Sequence, residues 1–445
     1  MNISSGVGNN RNAAGSYLFT GVLLTGIFIR LLVVLIPGNG LQAPWSGGGD
    51  AAAYVRLAQN IVDGKGYSYA GIPSAFRPPL YPGTLAMFIK LFGRDALLGM
   101  RLLQFLEGVA VVVLCGETAV RIFGTSARNA TLVIALFFPT LVALSGEIQT
   151  ETLATLFSAI FMYLLVRFLE RPTWGLLIAM SAITGMATLA RSNMALFGFI
   201  IIGVIFFQKS ELPKWRSTAL AALVSGLVIS PWVIRNEIIF HGQVFLSTQS
   251  GINAAATMVE PTGRSQPGET QRLQEVLGWV PPEELELNVP KRLLLPTEPA
   301  LNRREWQATF NLWRQAGWKL VPLGLEKISF FWLSTDQLFW NQGFRLPVRV
   351  VREGAVLGYW GLLAFAVLGW SRLRERRIGL LRICVFYAIL VTAFHMPFAM
   401  NTRIGVPFIA PWVAMLAGAG VLQLARRIPF LERRLGEVML APQLQ

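Results

Sequence analysis

The run Ile404–Leu424, IGVPFIAPWVAMLAGAGVLQL, carries no charged residue. At about 1.5 Å per residue, a helix of that length crosses a hydrocarbon core of roughly 30 Å. It is apolar on all sides, without the polar stripe that a surface helix of a soluble domain shows. Runs of the same kind recur through the chain. They read as spans at Ser16–Ile36, Met100–Arg121, Ala130–Leu144, Thr152–Phe168, Trp174–Ala190, Met194–Phe207, Thr218–Ile234, Gly354–Trp370 and Gly379–Phe394. The composition agrees. Of 445 residues, 53% are hydrophobic and 14% charged, against roughly 25% charged in soluble domains. The reading is an all-α polytopic membrane protein with about ten transmembrane helices. The first span is long, with no convincing small-residue cleavage site after it, and is expected to stay as an anchor.

Short loops set the orientation. Arg121 and Arg128, then Arg167 and Arg171, then Lys209, Lys214 and Arg216 fall on one side. Arg372, Arg374, Arg376 and Arg377 continue that side, and Arg426, Arg427, Arg433 and Arg434 end it. The alternate short loops hold Arg191 and Arg403 and little else that is positive. The positive-inside rule then places both termini in the cytoplasm. One transmembrane domain is expected over residues 1–425, with long outer connections at 37–99 and 235–353 and a basic cytoplasmic tail at 426–445. Within the second connection, Arg264–Pro299 reads as an irregular exposed loop. Leu320–Trp340, interrupted by Glu326, Lys327 and Asp336, reads as a helix at the interface.

The net charge of +15 does not indicate nucleic acid, because the cations are dispersed in cytoplasmic loops, where they serve topology and contact with anionic membrane lipids. Cys115 and Cys384 lie inside spans and offer neither a disulfide framework nor metal-ligand spacing. No internal repeat is evident, which argues against transporters built from inverted halves.

Ionisable residues at or near membrane depth are functional candidates. On the outer side they are Asp50, Arg77, Glu147, Glu151, Arg191, Arg235, His241 and Arg403. Asp50 follows Gly47-Gly48-Gly49 and opens a helical segment, where it also suits a plain helix cap. Asp63-Gly64-Lys65-Gly66 reads as a turn. In Phe76-Arg77-Pro78-Pro79-Leu80-Tyr81-Pro82 the prolines fix the backbone around Arg77, which also suits a residue snorkelling to headgroups. Glu147 and Glu151, four apart, would share one face of a helix, and Glu151 equally suits a helix N-terminus. His241 reads as a loop residue and His395 lies at the end of a span. Trp313, Trp318, Trp332 and Trp340 suit either an acceptor groove or interfacial anchoring.

The order of these motifs resembles bacterial membrane glycosyltransferases of the GT-C fold. The branch it looks like is that of the dolichyl-phosphate-mannose-protein mannosyltransferases and the lipid A aminoarabinose transferases. The likeness rests on the Asp after span one, on Ala58-Gln59-Asn60-Ile61-Val62-Asp63-Gly64-Lys65-Gly66-Tyr67, and on Arg77-Pro78-Pro79-Leu80-Tyr81-Pro82-Gly83. It continues in Thr150-Glu151-Thr152-Leu153, Leu189-Ala190-Arg191-Ser192-Asn193, Pro231-Trp232-Val233-Ile234-Arg235-Asn236, His241-Gly242, Leu246-Ser247-Thr248 and Asn401-Thr402-Arg403-Ile404-Gly405-Val406-Pro407. The resemblance implies a GT-C-like fold and a donor in which one sugar is carried on a polyprenyl phosphate. The acceptor would be a lipid, glycan or protein, at the extracytoplasmic face of a bacterial inner membrane. It also implies that Asp50 is the central acidic residue of the first outer loop. Where many members carry further acidic residues, this chain has Ala51 and Phe76, so a divalent metal lacks a clear ligand set and none is assigned.

The expected chemistry follows from those residue types. A carboxylate at Asp50 orients the acceptor and takes its proton. Arginines stabilise the leaving phosphate, since a planar guanidinium binds two phosphate oxygens at once. Arg77 ranks first because the family's proline motif carries a basic residue there; Arg403, Arg191 and Arg235 follow, with Glu147 and Glu151 as further carboxylates near the site. A lipid-sugar transporter or flippase is the alternative, for which Arg30 inside span one is the clearest feature. An O-antigen polymerase or ligase is another, but it would use a lipid-diphosphate donor and gives no reason for the Asp and proline motif.

Overall fold

In a computed structural model, residues 4–35, 50–69, 71–207, 212–259, 298–333, 348–376, 378–398 and 402–428 are described. They form helices and one short two-stranded hairpin. Helix α1 is Ser4–Leu35. Two helices follow, α2 (Asp50–Val62) and α3 (Leu80–Phe92), with strands β1 (Ser68–Tyr69) and β2 (Ile72–Pro73) between them. The bundle continues with α4 (Ala96–Phe123), α5 (Ser126–Leu136), α6 (Pro139–Leu144), α7 (Glu151–Glu170), α8 (Trp174–Ala190), α9 (Leu196–Phe207) and α10 (Lys214–Phe240). The segment expected as the second long connection contributes α11 (Ser250–Val259), α12 (Glu298–Ala316) and α13 (Leu320–Leu333). Helices α14 (Val348–Arg376), α15 (Ile378–His395) and α16 (Thr402–Ala425) complete it.

Among the described residues, six helical runs are long and apolar enough to cross a membrane, and three shorter apolar helices accompany them. Apart from Phe137 and Phe138, the described residues of every expected span lie on helix, but these lengths do not establish ten crossings. Ala130–Leu144 is broken: α5 stops at Leu136 and α6 restarts with Pro139 in its first turn. The described part of the connection expected at 37–99 is also more regular than the sequence suggests. Only one 3₁₀ turn, Gly93–Asp95, separates α3 from α4, so Leu80–Phe123 is a nearly continuous helical run. Helix α10 extends past the expected end of its span and carries Arg235 within it. Of Arg264–Pro299, only Glu298 and Pro299 are described, and they open α12 and are not loop residues. The tail from 429 onward and Trp340 lie outside the described residues.

The charge-free run that sets the fold lies at the centre of the bundle. In Ile404–Ala425, 89% of the most apolar window is buried, against 17% for Tyr17–Leu35. Helices α14 and α16 pack almost backbone to backbone. A Cβ added at Gly369 would strike the Leu416 carbonyl, and one at Gly420 would strike the Phe365 carbonyl. Small residues permit that approach where no hydrophobic driving force exists between helices in lipid.

Arg30 explains how the α5–α6 break is tolerated. It is 1% exposed. Its Nε donates to Leu136 O at 2.8 Å, Nη2 to Ala135 O at 2.7 Å and Nη1 to Leu141 O at 3.4 Å. A helix end leaves carbonyls without intrahelical partners, and no water reaches them in a membrane core. The guanidinium supplies the missing donors.

Candidate active site

The segment from α2 to α3 closes on itself at Arg77. Gly64 and Gly66 both take positive φ (74° and 72°), which suits residues without a Cβ, and the chain turns there as read. Asn60 Nδ2 donates to Ser68 O at 2.7 Å, and the Tyr69 hydroxyl reaches Ala53 O at 3.2 Å, which tie the hairpin to α2. The Tyr67 hydroxyl lies 2.9 Å from Arg77 O and 3.1 Å from Pro78 O, fixing the proline motif from behind.

Held in this way, Arg77 Nη2 meets Asp50 Oδ1 in an ion pair. The Arg77 side chain is 7% exposed and that of Asp50 26%. The guanidinium also lies 5.0 Å from the Tyr54 ring centroid and 5.2 Å from that of Phe76. The two residues ranked first from the sequence are thus in contact, with the carboxylate on the more open side. Asp50 is also the first residue of α2, so it is both the charge at a helix start and a partner in the site. Tyr54 continues the polar surface inward, its ring edge-on to Tyr81 at 5.0 Å. The Tyr81 hydroxyl donates to Gln104 Oε1 at 2.8 Å, and Gln104 Nε2 reaches Glu147 O at 2.6 Å. The Glu147 side chain faces the buried Arg101 electrostatically.

The other candidates take different places. Glu151 and Arg191 form a second ion pair, 2.9 Å apart, with the Glu151 side chain 1% and Arg191 15% exposed. Beside it, Asn193 Nδ2 lies 3.0 Å from His395 Nε2, whose Nδ1 is 2.8 Å from Val391 O. If Nδ1 donates to that carbonyl, Nε2 accepts from Asn193 and the ring is neutral. Arg235 binds backbone: Nη1 donates to Ser74 O at 2.7 Å and Nη2 to Tyr67 O at 3.0 Å. The guanidinium also lies 4.7 Å from the Trp232 ring. His241 is exposed and left-handed (φ 52°) at the end of α10, a turn residue. Arg403 sits in the first turn of α16, and its side chain lies outside the described residues.

Sequence reasoning missed Glu298. Ser74 Oγ donates to its Oε1 at 2.5 Å, Ala75 N to Oε2 at 2.8 Å and Thr248 Oγ1 to Oε2 at 3.0 Å. Thr248 N also donates to Ala75 O at 3.1 Å. Burial pushes the Glu298 carboxyl above its usual range, and these hydrogen bonds pull it back. Burial likewise drives the Tyr67 phenol upward, with the Tyr54 hydroxyl adding to it and Arg77 and Arg235 opposing it. No periodic pattern marks Glu298, because it stands between Pro296 and Pro299 and its partners lie far away in sequence. Among the described residues no group of three or more His, Cys, Asp or Glu side chains gathers that could hold a metal ion.

Residues 76–234 match the family described as Dolichyl-phosphate-mannose-protein mannosyltransferase. No curated protein sequence matches the chain. Among solved structures, the oligosaccharyltransferase of Archaeoglobus fulgidus in its apo form superposes with a TM-score of 0.52 at 14% identity, covering 96% of this chain and 54% of that one. The same protein, with an inhibitory peptide and a dolichol-phosphate, also matches at 0.52 and 14%, with coverage of 96% and 54%. The chain thus spans about half the length of that oligosaccharyltransferase. ArnT from Cupriavidus metallidurans, bound to undecaprenyl phosphate, is 17% identical, with a TM-score of 0.39 over 93% of this chain and 80% of that one. The chain has a GT-C-like fold, that of the oligosaccharyltransferase it superposes on, and over residues 76–234 it is similar to the dolichyl-phosphate-mannose-protein mannosyltransferase family.

Proposed function

We propose that this protein transfers a single sugar from a polyprenyl-phosphate carrier to an acceptor at the extracytoplasmic face of a bacterial inner membrane. The observation that carries the reading is the contact between Asp50 and Arg77 at the start of the first outer segment. A carboxylate and a mostly buried guanidinium side by side supply both parts of the reaction. Asp50 accepts the acceptor's proton as its oxygen or nitrogen attacks the anomeric carbon. Arg77 stabilises the charge that grows on the phosphate oxygen as the glycosidic bond breaks. The lipid phosphate is a weak base and leaves without a strong acid.

The oligosaccharyltransferase complex with dolichol-phosphate and the ArnT complex with undecaprenyl phosphate name lipid phosphates of the kind the reading requires. Among the arginines, Arg77 is favoured because it faces a carboxylate and two aromatic rings. Arg235 is better suited to bracing the loop, since two of its nitrogens bind carbonyls. Arg191 shares its charge with Glu151. Arg403 remains a candidate for the phosphate by its place at the start of α16. Arg30 gave the transporter reading its clearest feature, and its hydrogen bonds account for it as a structural cap.

The test uses the purified chain in lipid nanodiscs with a set of polyprenyl-phosphate monosaccharides. Release of polyprenyl phosphate with formation of a glycosylated acceptor is expected. Movement of the lipid-linked sugar across liposomes with no transfer to any acceptor would refute the reading.

A further inference from the structure

We infer that Glu298 is a positioning residue: its carboxylate ties the second outer segment to Ser74-Ala75 and thereby sets Arg77 against Asp50. The inference rests on the proposed role of Asp50 and Arg77, and it adds a residue that acts through them.

The geometry is specific. Both Glu298 oxygens are used, and they bind three donors from two distant segments: Ser74 Oγ, Ala75 N and Thr248 Oγ1. Ser74 and Ala75 stand just before Arg77, and from Pro78 onward the paired prolines stiffen the chain. Arg77 therefore has little freedom on its C-terminal side. Its N-terminal side is fixed by the Glu298 bonds, by Thr248 N on Ala75 O, and by Arg235 on Ser74 O. Two of the three Glu298 bonds, from Ser74 Oγ and Ala75 N, fall on that stretch itself. Ala75 is fully buried and Ser74 likewise, which leaves water no easy route to replace the carboxylate.

A shift of about 1 Å at a reacting group lowers turnover by about a hundredfold. Glu298→Ala is therefore expected to reduce transfer about 10- to 100-fold, chiefly in kcat. Glu298→Gln, which keeps an acceptor for Ala75 N and Thr248, should recover much of that loss. The decisive comparison is made in an Arg77→Ala background. If Glu298 acts through Arg77, Glu298→Ala then lowers the residual rate by less than about twofold; a full multiplicative loss would overturn the inference.

A second readout needs no activity. In an Ala75→Cys protein, the thiol is expected to be shielded from a membrane-impermeant maleimide. Adding Glu298→Ala should raise its labelling rate at least tenfold, and an unchanged rate would overturn the inference even if transfer were never detected. Conversely, faster labelling in a protein that transfers no sugar would uphold the tie and sink only the proposed activity. Should Glu298→Ala fail to fold, Thr248→Val and Ser74→Ala each remove one bond. Each is expected to lower transfer and raise labelling about three- to tenfold, and no change in either would be decisive against the role.

Discussion

Asp50→Asn keeps the shape of the side chain and an oxygen able to accept from Arg77, but removes the charge. In the present arrangement the Asp50 carboxylate occupies one edge of the Arg77 guanidinium. A lipid phosphate binding the other edge would stand about 6 Å from that carboxylate. Two like charges at that distance repel by about 3 kcal/mol in an effective dielectric of about 20. The Asp50 side chain is 26% exposed, so water reduces this to about 1 kcal/mol, close to fivefold in affinity. Asp50→Asn should therefore bind polyprenyl phosphate about fivefold more tightly, while transfer falls by about 10²–10⁴, the usual contribution of a positioned base. Binding would be followed by tryptophan fluorescence in nanodiscs. Chemistry would be followed by single-turnover transfer from radiolabelled donor, which separates the two effects. The opposed movement of affinity and rate is the signature. Near-normal transfer would remove Asp50 from the chemistry, and tenfold weaker binding would mean that Asp50 orders Arg77 for the phosphate and does not compete with it.

Two further predictions concern buried charge. Arg30→Met should lower the Tm in detergent by the equivalent of about 2–5 kcal/mol, because three carbonyls at the α5–α6 break lose their donor; an unchanged Tm would refute the capping role. Glu305 is 3% exposed on α12, and burial pushes its carboxyl up to about 8. The folded state then holds a proton that the unfolded chain releases near the ordinary value of 4.5, so stability falls as pH rises from about 4.5 to about 8 and levels off above. Glu305→Gln should abolish that slope in thermal unfolding, stabilising the protein at pH 8 and changing little at pH 5. A slope retained in the variant would assign the pH dependence to another group.

Asp50 and Arg77 were legible in the sequence because each breaks a local rule. One is a lone carboxylate after glycines beyond a span, and the other a cation locked among prolines. Arg191 and Glu151 were legible as charges at span ends, but their contact was not, since it joins the starts of two different helical segments. Glu147 and Glu151 illustrate the opposite error. Their spacing suggested one helical face, yet α7 begins at Glu151 and leaves Glu147 in the turn before it. The carbonyl contacts of Arg235 and the whole of Glu298 escape the sequence for one reason: their partners are backbone and hydroxyl groups of remote segments, which no periodicity records.

The sequence alone determined that this is a membrane protein of apolar helices, because a charge-free run such as Ile404–Leu424 has few other environments open to it. It also determined which residues at the span ends and in the connections were chemically unusual. Only the tertiary structure decided which of them meet. Hydrophobicity accumulates along the chain and can be read there, whereas a hydrogen bond between Glu298 and Ser74 or an ion pair between Asp50 and Arg77 depends on directions and distances that exist only after the outer segments have packed.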